Sequence, residues 1–229
     1  MTLEEYFGDW AEVLDIREAD RLVNKLVNSR LTVCPLPKNI FKAFRLCSLK
    51  DLKVVIIGQD PYPTVSNGQP IATGLAFGND KNTPEDAYSP SLKVLKDSVI
   101  DAVIPNELSI FDCTLEEWEK QGVLLINSAL SCTQGLPGSH SLLWLPFIKS
   151  FLSNLSRKKK GIIYVLMGAN AKGMSYVIDK DGNHLIYTNH PSYYARTGTP
   201  MPSNLWDDIN EILVKQYGYE KIHWYRNSI

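Results

Sequence analysis

Four short apolar runs, each ending in a polar cluster, constrain this chain more than any other feature. Lys53–Ile57, Val123–Asn127, Ile162–Met167 and His184–Thr188 are strand-length segments, the first three dense in Val, Ile and Leu. Helix-length stretches lie between them near Ser91–Ala102, Pro146–Leu155 and Asn170–Ile178, with a last one near Asn204–Tyr217. Residues from about Thr2 to Arg30 also read as helical, with Leu22, Val23, Leu26 and Val27 as an apolar stripe. A helix between two strands returns the chain to its starting side, so consecutive strands run parallel. Continuously apolar strands then need cover on both faces. The expectation is one α/β domain over residues 1–229, a central four-stranded parallel twisted sheet with helices on both faces.

The polar clusters follow from the same pattern. Gln59-Asp60-Pro61-Tyr62 follows the first run, Asn127-Ser128 closes the second, Gly168-Ala169-Asn170 the third, and Asn189-His190-Pro191-Ser192 the fourth. Open parallel sheets bind ligands beyond the carboxyl ends of their strands, so the four clusters should converge on one crevice.

Other classes lose their signals. Cys34, Cys47, Cys113 and Cys132 are scattered, and the four His residues show no ligand spacing, so no metal or other cofactor is expected. Twenty-four basic and 25 acidic residues give a net charge of −1, which argues against a protein that coats nucleic acid. Arg157–Lys160, the one basic run, reads as a solvated turn between helix and strand. No apolar run approaches the ~20 residues that cross a bilayer, and Met1–Glu5 lacks the order of a signal peptide. The expected location is the cytoplasm, or the nucleus in a eukaryotic host, with no membrane contact.

An Asp, a His, an Asn, a Gln, a Tyr and several Ser make up the polar inventory. No Gly-x-Ser-x-Gly elbow presents a nucleophile, and neither a phosphate-binding nor a dinucleotide-binding glycine loop is present. What remains is hydrolysis of a bond whose leaving group stabilises its own charge, and an N-glycosidic bond to a pyrimidine fits. A carboxylate near the sugar stabilises the growing cation and orients water. A His facing the base oxygen stabilises the anion.

Gly58-Gln59-Asp60-Pro61-Tyr62 resembles the water-activating motif of family 1 uracil-DNA glycosylases. Ser89-Pro90-Ser91-Leu92 is similar to their phosphate-pinching loop, and Gly74–Phe77 to the segment whose ring stacks on uracil. Leu124–Ser131 resembles the strand whose Asn reads the base, Ser139-His140 a Ser-His pair in the next loop, and His190-Pro191-Ser192 the start of the intercalation loop. The matches span roughly Leu52 to Arg196 in family order.

The resemblance implies a monomeric, monofunctional glycosylase that flips uracil from single- or double-stranded DNA and releases it, leaving an abasic site. Asp60 and His190 would be catalytic, and Gln59, Tyr62, Phe77 and Asn127 would form the uracil pocket. Ser91, Ser139, Gly168, Ala169 and Ser192 would hold phosphates, Tyr194 would be the wedge by position, and Arg196 would contact phosphate. An inhibitor protein that mimics DNA would be a further partner.

Each residue also has an ordinary structural role: Asp60 before proline as a turn former, Phe77 as core, Ser91 as a helix start. Three departures from the family stand out. Pro63 replaces the usual His, as in the poxviral branch. About four extra residues fall between Tyr62 and Phe77, read as an outward bulge at Thr64–Gly68. Tyr193-Tyr194 stands where Pro-Leu is usual. Pro63 and the neutral net charge keep a second reading open, a glycosylase-like DNA-binding or scaffold protein with weak catalysis.

Overall fold

The structure, a computed structural model, describes residues 2–102 and 109–227. Strands β1 (Val54–Gly58), β2 (Val123–Asn127), β3 (Ile163–Met167) and β4 (His184–Thr188) form a parallel sheet in the order β2-β1-β3-β4. Helices α1 (Ile16–Val27), α2 (Pro90–Ala102), α3 (Ser141–Lys158), α4 (Pro191–Thr197) and α5 (Asn204–Tyr217) accompany it. Every residue of β1, β2 and β3 is buried, which requires cover on both faces of the sheet. Registers pair Gly58 with Asn127 and Met167 with Thr188, so the strands end level with one another.

Strand β2 is an edge strand with no exposed backbone at its centre. Leu125 N–H donates to Glu119 Oε1 at 2.8 Å, and its carbonyl accepts from Ala76 N–H at 3.1 Å. A buried carboxylate and a loop thus seal the edge, and burial pushes the Glu119 carboxyl well above its ordinary pKa. Trp118, Trp206 and Trp224 pack with ring centroids 4.8 to 5.3 Å apart and hold α5 against the body of the fold.

Several expected elements differ. The N-terminal helix is three pieces, Leu3–Phe7, a 3-10 turn at Gly8–Glu12, and α1. Gly8 at φ +53 ends the first, and the Asp15 carboxylate caps α1 by accepting from Glu18 N–H at 3.0 Å. Val27 is 56% exposed, so Ala19, Leu22 and Leu26 form the buried stripe. Helix α3 starts five residues before Pro146. Pro146 has no N–H for the Leu142 carbonyl, and Leu142 is exposed, so water can bond it instead. The stretch near Asn170–Ile178 is a short helix, Ala169–Lys172, and a 3-10 turn, Ser175–Val177.

The bulge expected at Thr64–Gly68 is a small β-hairpin. Val65–Ser66 pairs with Gln69–Pro70 around Asn67 and Gly68, whose φ values of +49 and +74 suit the turn that matches strand twist. The basic run lies at the amino edge of the sheet: Lys159 donates to the Lys50 carbonyl at 2.7 Å, and Lys160 pairs with Asp179 at 2.7 Å. It is a tied turn, far from the carboxyl edge.

Candidate active site

The carboxyl ends of the strands are stitched in pairs, β1 to β2 and β3 to β4. Ser128 N–H donates to the Gly58 carbonyl at 3.1 Å, and its hydroxyl donates to the Gln59 carbonyl at 2.7 Å. Gly168 N–H donates to the Thr188 carbonyl at 2.9 Å. Gly168, at φ +87, also lets the chain pass His190 closely, since a Cβ there would sit 2.9 Å from His190 Cβ.

Gly58 is the floor of the crevice. A Cβ on it would lie 2.4 Å from Asn127 Oδ1 and 2.9 Å from Phe77 Cζ, so only glycine lets these groups meet over the strand end. Asn127 is 7% exposed, yet among the described residues its carboxamide has no hydrogen-bond partner. The amide is not sealed from water, so it lies open at the crevice to a ligand that can replace that water. Phe77 is held at φ +68, a strained conformation for an aromatic residue, with its ring centroid 5.4 Å from that of His190.

Asp60 leaves the end of β1 with one oxygen tied. Oδ2 accepts from Gly138 N–H at 2.5 Å, and the Gln59 side chain also reaches the carboxylate. Burial raises its pKa above the ordinary carboxylate value, opposed by the Gly138 N–H and the Gln59 side chain. His190 caps α4: Ser192 N–H donates to its Nδ1 at 3.1 Å, with the Ser192 hydroxyl 2.8 Å from the same nitrogen. Burial, helped by the charge of Arg196, lowers its pKa to about 4. The ring is therefore neutral near pH 7, and with Nδ1 accepting, its proton sits on Nε2 as a donor.

Tyr62 is anchored through its hydroxyl, which donates to the Phe77 carbonyl at 2.9 Å and is reached by Ser89 Oγ at 2.6 Å. Burial pushes this phenol up in pKa, so it stays protonated.

The expected phosphate contacts fare unevenly. Ser91 is 5% exposed with no hydrogen-bond partner among the described residues, a recessed but open hydroxyl. Ser139 is exposed, and its oxygen accepts from Thr133 N–H at 2.8 Å. Neighbouring His140 is buried between the hydroxyls of Ser131 and Thr133, a packing role. Gly168 and Ala169 open the short helix after β3, and exposed Arg196 donates to the Ser192 carbonyl at 3.3 Å.

The wedge expectation for Tyr194 meets an obstacle. Tyr194 is 9% exposed and lines one cavity together with Val94 and Ser98 of α2, with its hydroxyl 3.4 Å from Thr188 Oγ1. Tyr193, edge-on to it at 5.3 Å, is the exposed ring of the pair at 42%. The sequence reading gave Gly138 no role and named Ser89 only within the loop motif; both act through long-range bonds that no local pattern announces. Gly58 was legible as a glycine ending a buried strand.

A level parallel sheet whose carboxyl edge gathers a carboxylate, a neutral imidazole, an open amide and an aromatic ring defines an α/β protein with a polar crevice beyond its strand ends. Residues 44–214 match the family model of the uracil DNA glycosylase superfamily. The chain is 35% identical over 203 residues to a uracil-DNA glycosylase of Campylobacter jejuni strain RM1221, covering 86% of this chain and 81% of that one. With a uracil-DNA glycosylase of Salmonella agona strain SL483 it shares 34% over 224 residues, 94% of this chain and 93% of the other. The crystal structure of mimivirus uracil-DNA glycosylase shares the fold, with a TM-score of 0.76 at 23% identity over 98% of this chain and 93% of that one. A mimivirus variant crystallised with UGI gives a TM-score of 0.79, also at 23% identity, over 98% and 88% of the two chains. This chain belongs to the uracil-DNA glycosylase superfamily.

Among the described residues no cluster of His, Cys, Asp and Glu could hold a metal ion, and no helix is long and apolar enough to cross a membrane.

Proposed function

We propose that this protein is a family 1 uracil-DNA glycosylase that flips uracil from DNA and hydrolyses its N-glycosidic bond, initiating base excision repair. The observation that carries this reading is the unpartnered Asn127 carboxamide, open to the crevice beside Phe77 and a neutral His190. Asn127 can accept from uracil N3–H and donate to O4. Cytosine reverses that pattern and would leave buried groups unpaired. Phe77 stacks on the flipped ring, Tyr62 fills the space a 5-methyl group would need, and Gln59 lies at the base oxygens.

As the bond from C1′ to the base nitrogen breaks, positive charge grows on the sugar and negative charge on the base oxygens. Asp60 faces the first charge, and its carboxylate orients and deprotonates the attacking water. His190 Nε2–H faces the second at O2. A neutral donor suits this task, since it stabilises the departing anion without having to give up a proton. Pro63 removes one hydrogen-bonding partner for the water, as in the poxviral branch, and leaves Asp60 in place.

Ser91, Ser139, Gly168, Ala169, Ser192 and Arg196 grip phosphates along the strand, and an aromatic of the Tyr193-Tyr194 pair fills the vacated stack. The protein works as an intracellular monomer, and a DNA-mimicking inhibitor of the UGI kind would occupy the same face.

The test is release of free uracil from an oligonucleotide with a single uracil, in chelator, with thymine and cytosine controls. Uracil alone is released, and Asp60→Asn lowers the rate about 10²- to 10⁴-fold. Full activity in Asp60→Asn would remove the mechanism. DNA binding without release by the parent would favour the scaffold reading.

A further inference from the structure

We infer that Ser89 and Asn79 are positioning residues that set base selectivity, by locking the Tyr62 hydroxyl to the Phe77 carbonyl and so fixing the gap between these two rings. The inference rests on the uracil-glycosylase reading above, and concerns residues that contact neither base nor water.

The geometry is a single file of polar groups. The Asn79 carboxamide lies 2.9 Å from Ser89 Oγ, Ser89 Oγ lies 2.6 Å from the Tyr62 hydroxyl, and that hydroxyl lies 2.9 Å from the Phe77 carbonyl. Proton bookkeeping decides the direction. The Phe77 carbonyl can only accept, so Tyr62 donates to it, and Ser89 must spend its one proton on Tyr62. Ser89 then needs a donor, which Asn79 supplies if its amide nitrogen occupies the position facing Ser89. Every group in the relay has its proton only in this order.

Both ends are rigidly held. Asn79 is 4% exposed, and its N–H donates to the Cys113 carbonyl at 2.9 Å. Ser89 is 7% exposed, and its carbonyl accepts from Lys93 N–H at 3.0 Å in the first turn of α2. The relay thus runs from the body of the fold to two groups that need outside support. Phe77 sits at φ +68, which its own backbone would leave if released. The Tyr62 ring is half-buried, and the segment after it leads into the exposed hairpin. Without the relay both rings gain freedom where a 5-substituent would lie.

A merely structural role predicts lost stability and unchanged selectivity. A positioning role predicts that selectivity moves. The experiment measures kcat/KM for uracil, 5-fluorouracil and thymine in one oligonucleotide context, for the parent, Ser89→Ala, Tyr62→Phe and the double variant, with Tm for each. Ser89→Ala should lower uracil kcat/KM less than about threefold and raise relative release of the 5-substituted bases about tenfold, the lower end of what one methyl group is worth. Tyr62→Phe keeps the ring but loses the same bond and should raise relative release of the 5-substituted bases to the same extent, and in that ratio the double variant should match Tyr62→Phe alone, because one chain of bonds is cut twice.

An unchanged uracil-to-thymine ratio in Ser89→Ala with uracil activity retained, or additive effects in the double variant, overturns this inference and leaves the proposed function standing. A parent that releases no uracil overturns both.

Discussion

Replacing Gly58 by alanine tests whether the crevice floor positions the base-reading groups. The added methyl would lie 2.4 Å from Asn127 Oδ1 and 2.9 Å from Phe77 Cζ. Both distances are inside ordinary contact, the first by about 1 Å. Gly58 does not have a left-handed φ, so the backbone tolerates alanine and the clash must be relieved by side chains. Asn127 is a short side chain at the end of β2, and it can yield only by rotating its amide away from the crevice. A displacement near 1 Å in a group that orients substrate costs on the order of 10²-fold in rate. Overpacking of this kind costs about 1–3 kcal/mol in stability, roughly 2–10 °C in Tm for a chain of this size. Single-turnover uracil release and thermal melting separate the two effects. Gly173→Ala is the control, because its nearest neighbours would lie at 3.4 Å, and it should alter neither rate nor Tm appreciably. A folded Gly58→Ala protein releasing uracil within twofold of the parent would refute the argument that glycine is required for the site.

Asn127→Asp removes the donor to O4 and places a charge in a buried site, so uracil release should fall at least about 10²-fold and the preference for uracil over cytosine should collapse in the release assay. His190 titrates near 4 in the fold and near 6.5 in the unfolded chain. Between those values the unfolded chain binds a proton that the fold refuses, so stability should fall as pH drops from 6.5 to 4, by about 3 kcal/mol at most. Urea melts across that window should show the slope in the parent and its loss in His190→Gln; an equal slope in both would assign it elsewhere. The raised pKa of Asp60 acts in the opposite sense, and activity should fail on acidification at a pH above the ordinary carboxylate value. Tyr194→Ala, which removes a buried ring, should cost about 3 kcal/mol in stability. Tyr193→Ala should barely change Tm and should slow release from duplex more than from single-stranded DNA. A duplex-specific loss in Tyr194→Ala with Tyr193→Ala silent would return the wedge to Tyr194.

Local pattern was enough for the architecture. Apolar runs bounded by Gly58, Asn127, Gly168 and His190 report backbone periodicity and turn chemistry, which are short-range properties, and β2, β4 and α5 lie at the residues read from them. Strand–helix alternation then required a parallel sheet, and a parallel sheet has one edge at which all carboxyl ends meet. Gathering Asp60, Asn127 and His190 at that edge was therefore implicit in the order of the chain.

Contacts between distant segments were not. Asp60 is steadied by Gly138, 78 residues away, through a backbone N–H that any residue but proline carries, so sequence holds no mark of it. Tyr62 depends on Ser89 in the same way. Tyr193 and Tyr194 are chemically identical, and only the packing of α4 against α2 decides which ring is buried. The N-terminal break at Gly8 and Asp15 and the start of α3 ahead of Pro146 were settled by caps and by solvent access to one carbonyl. Periodicity determined where the strands run and which residues end them, because it is a local property. Which hydrogen bonds hold those residues in working positions was decided by tertiary packing, because it depends on groups that come together only after the chain has folded.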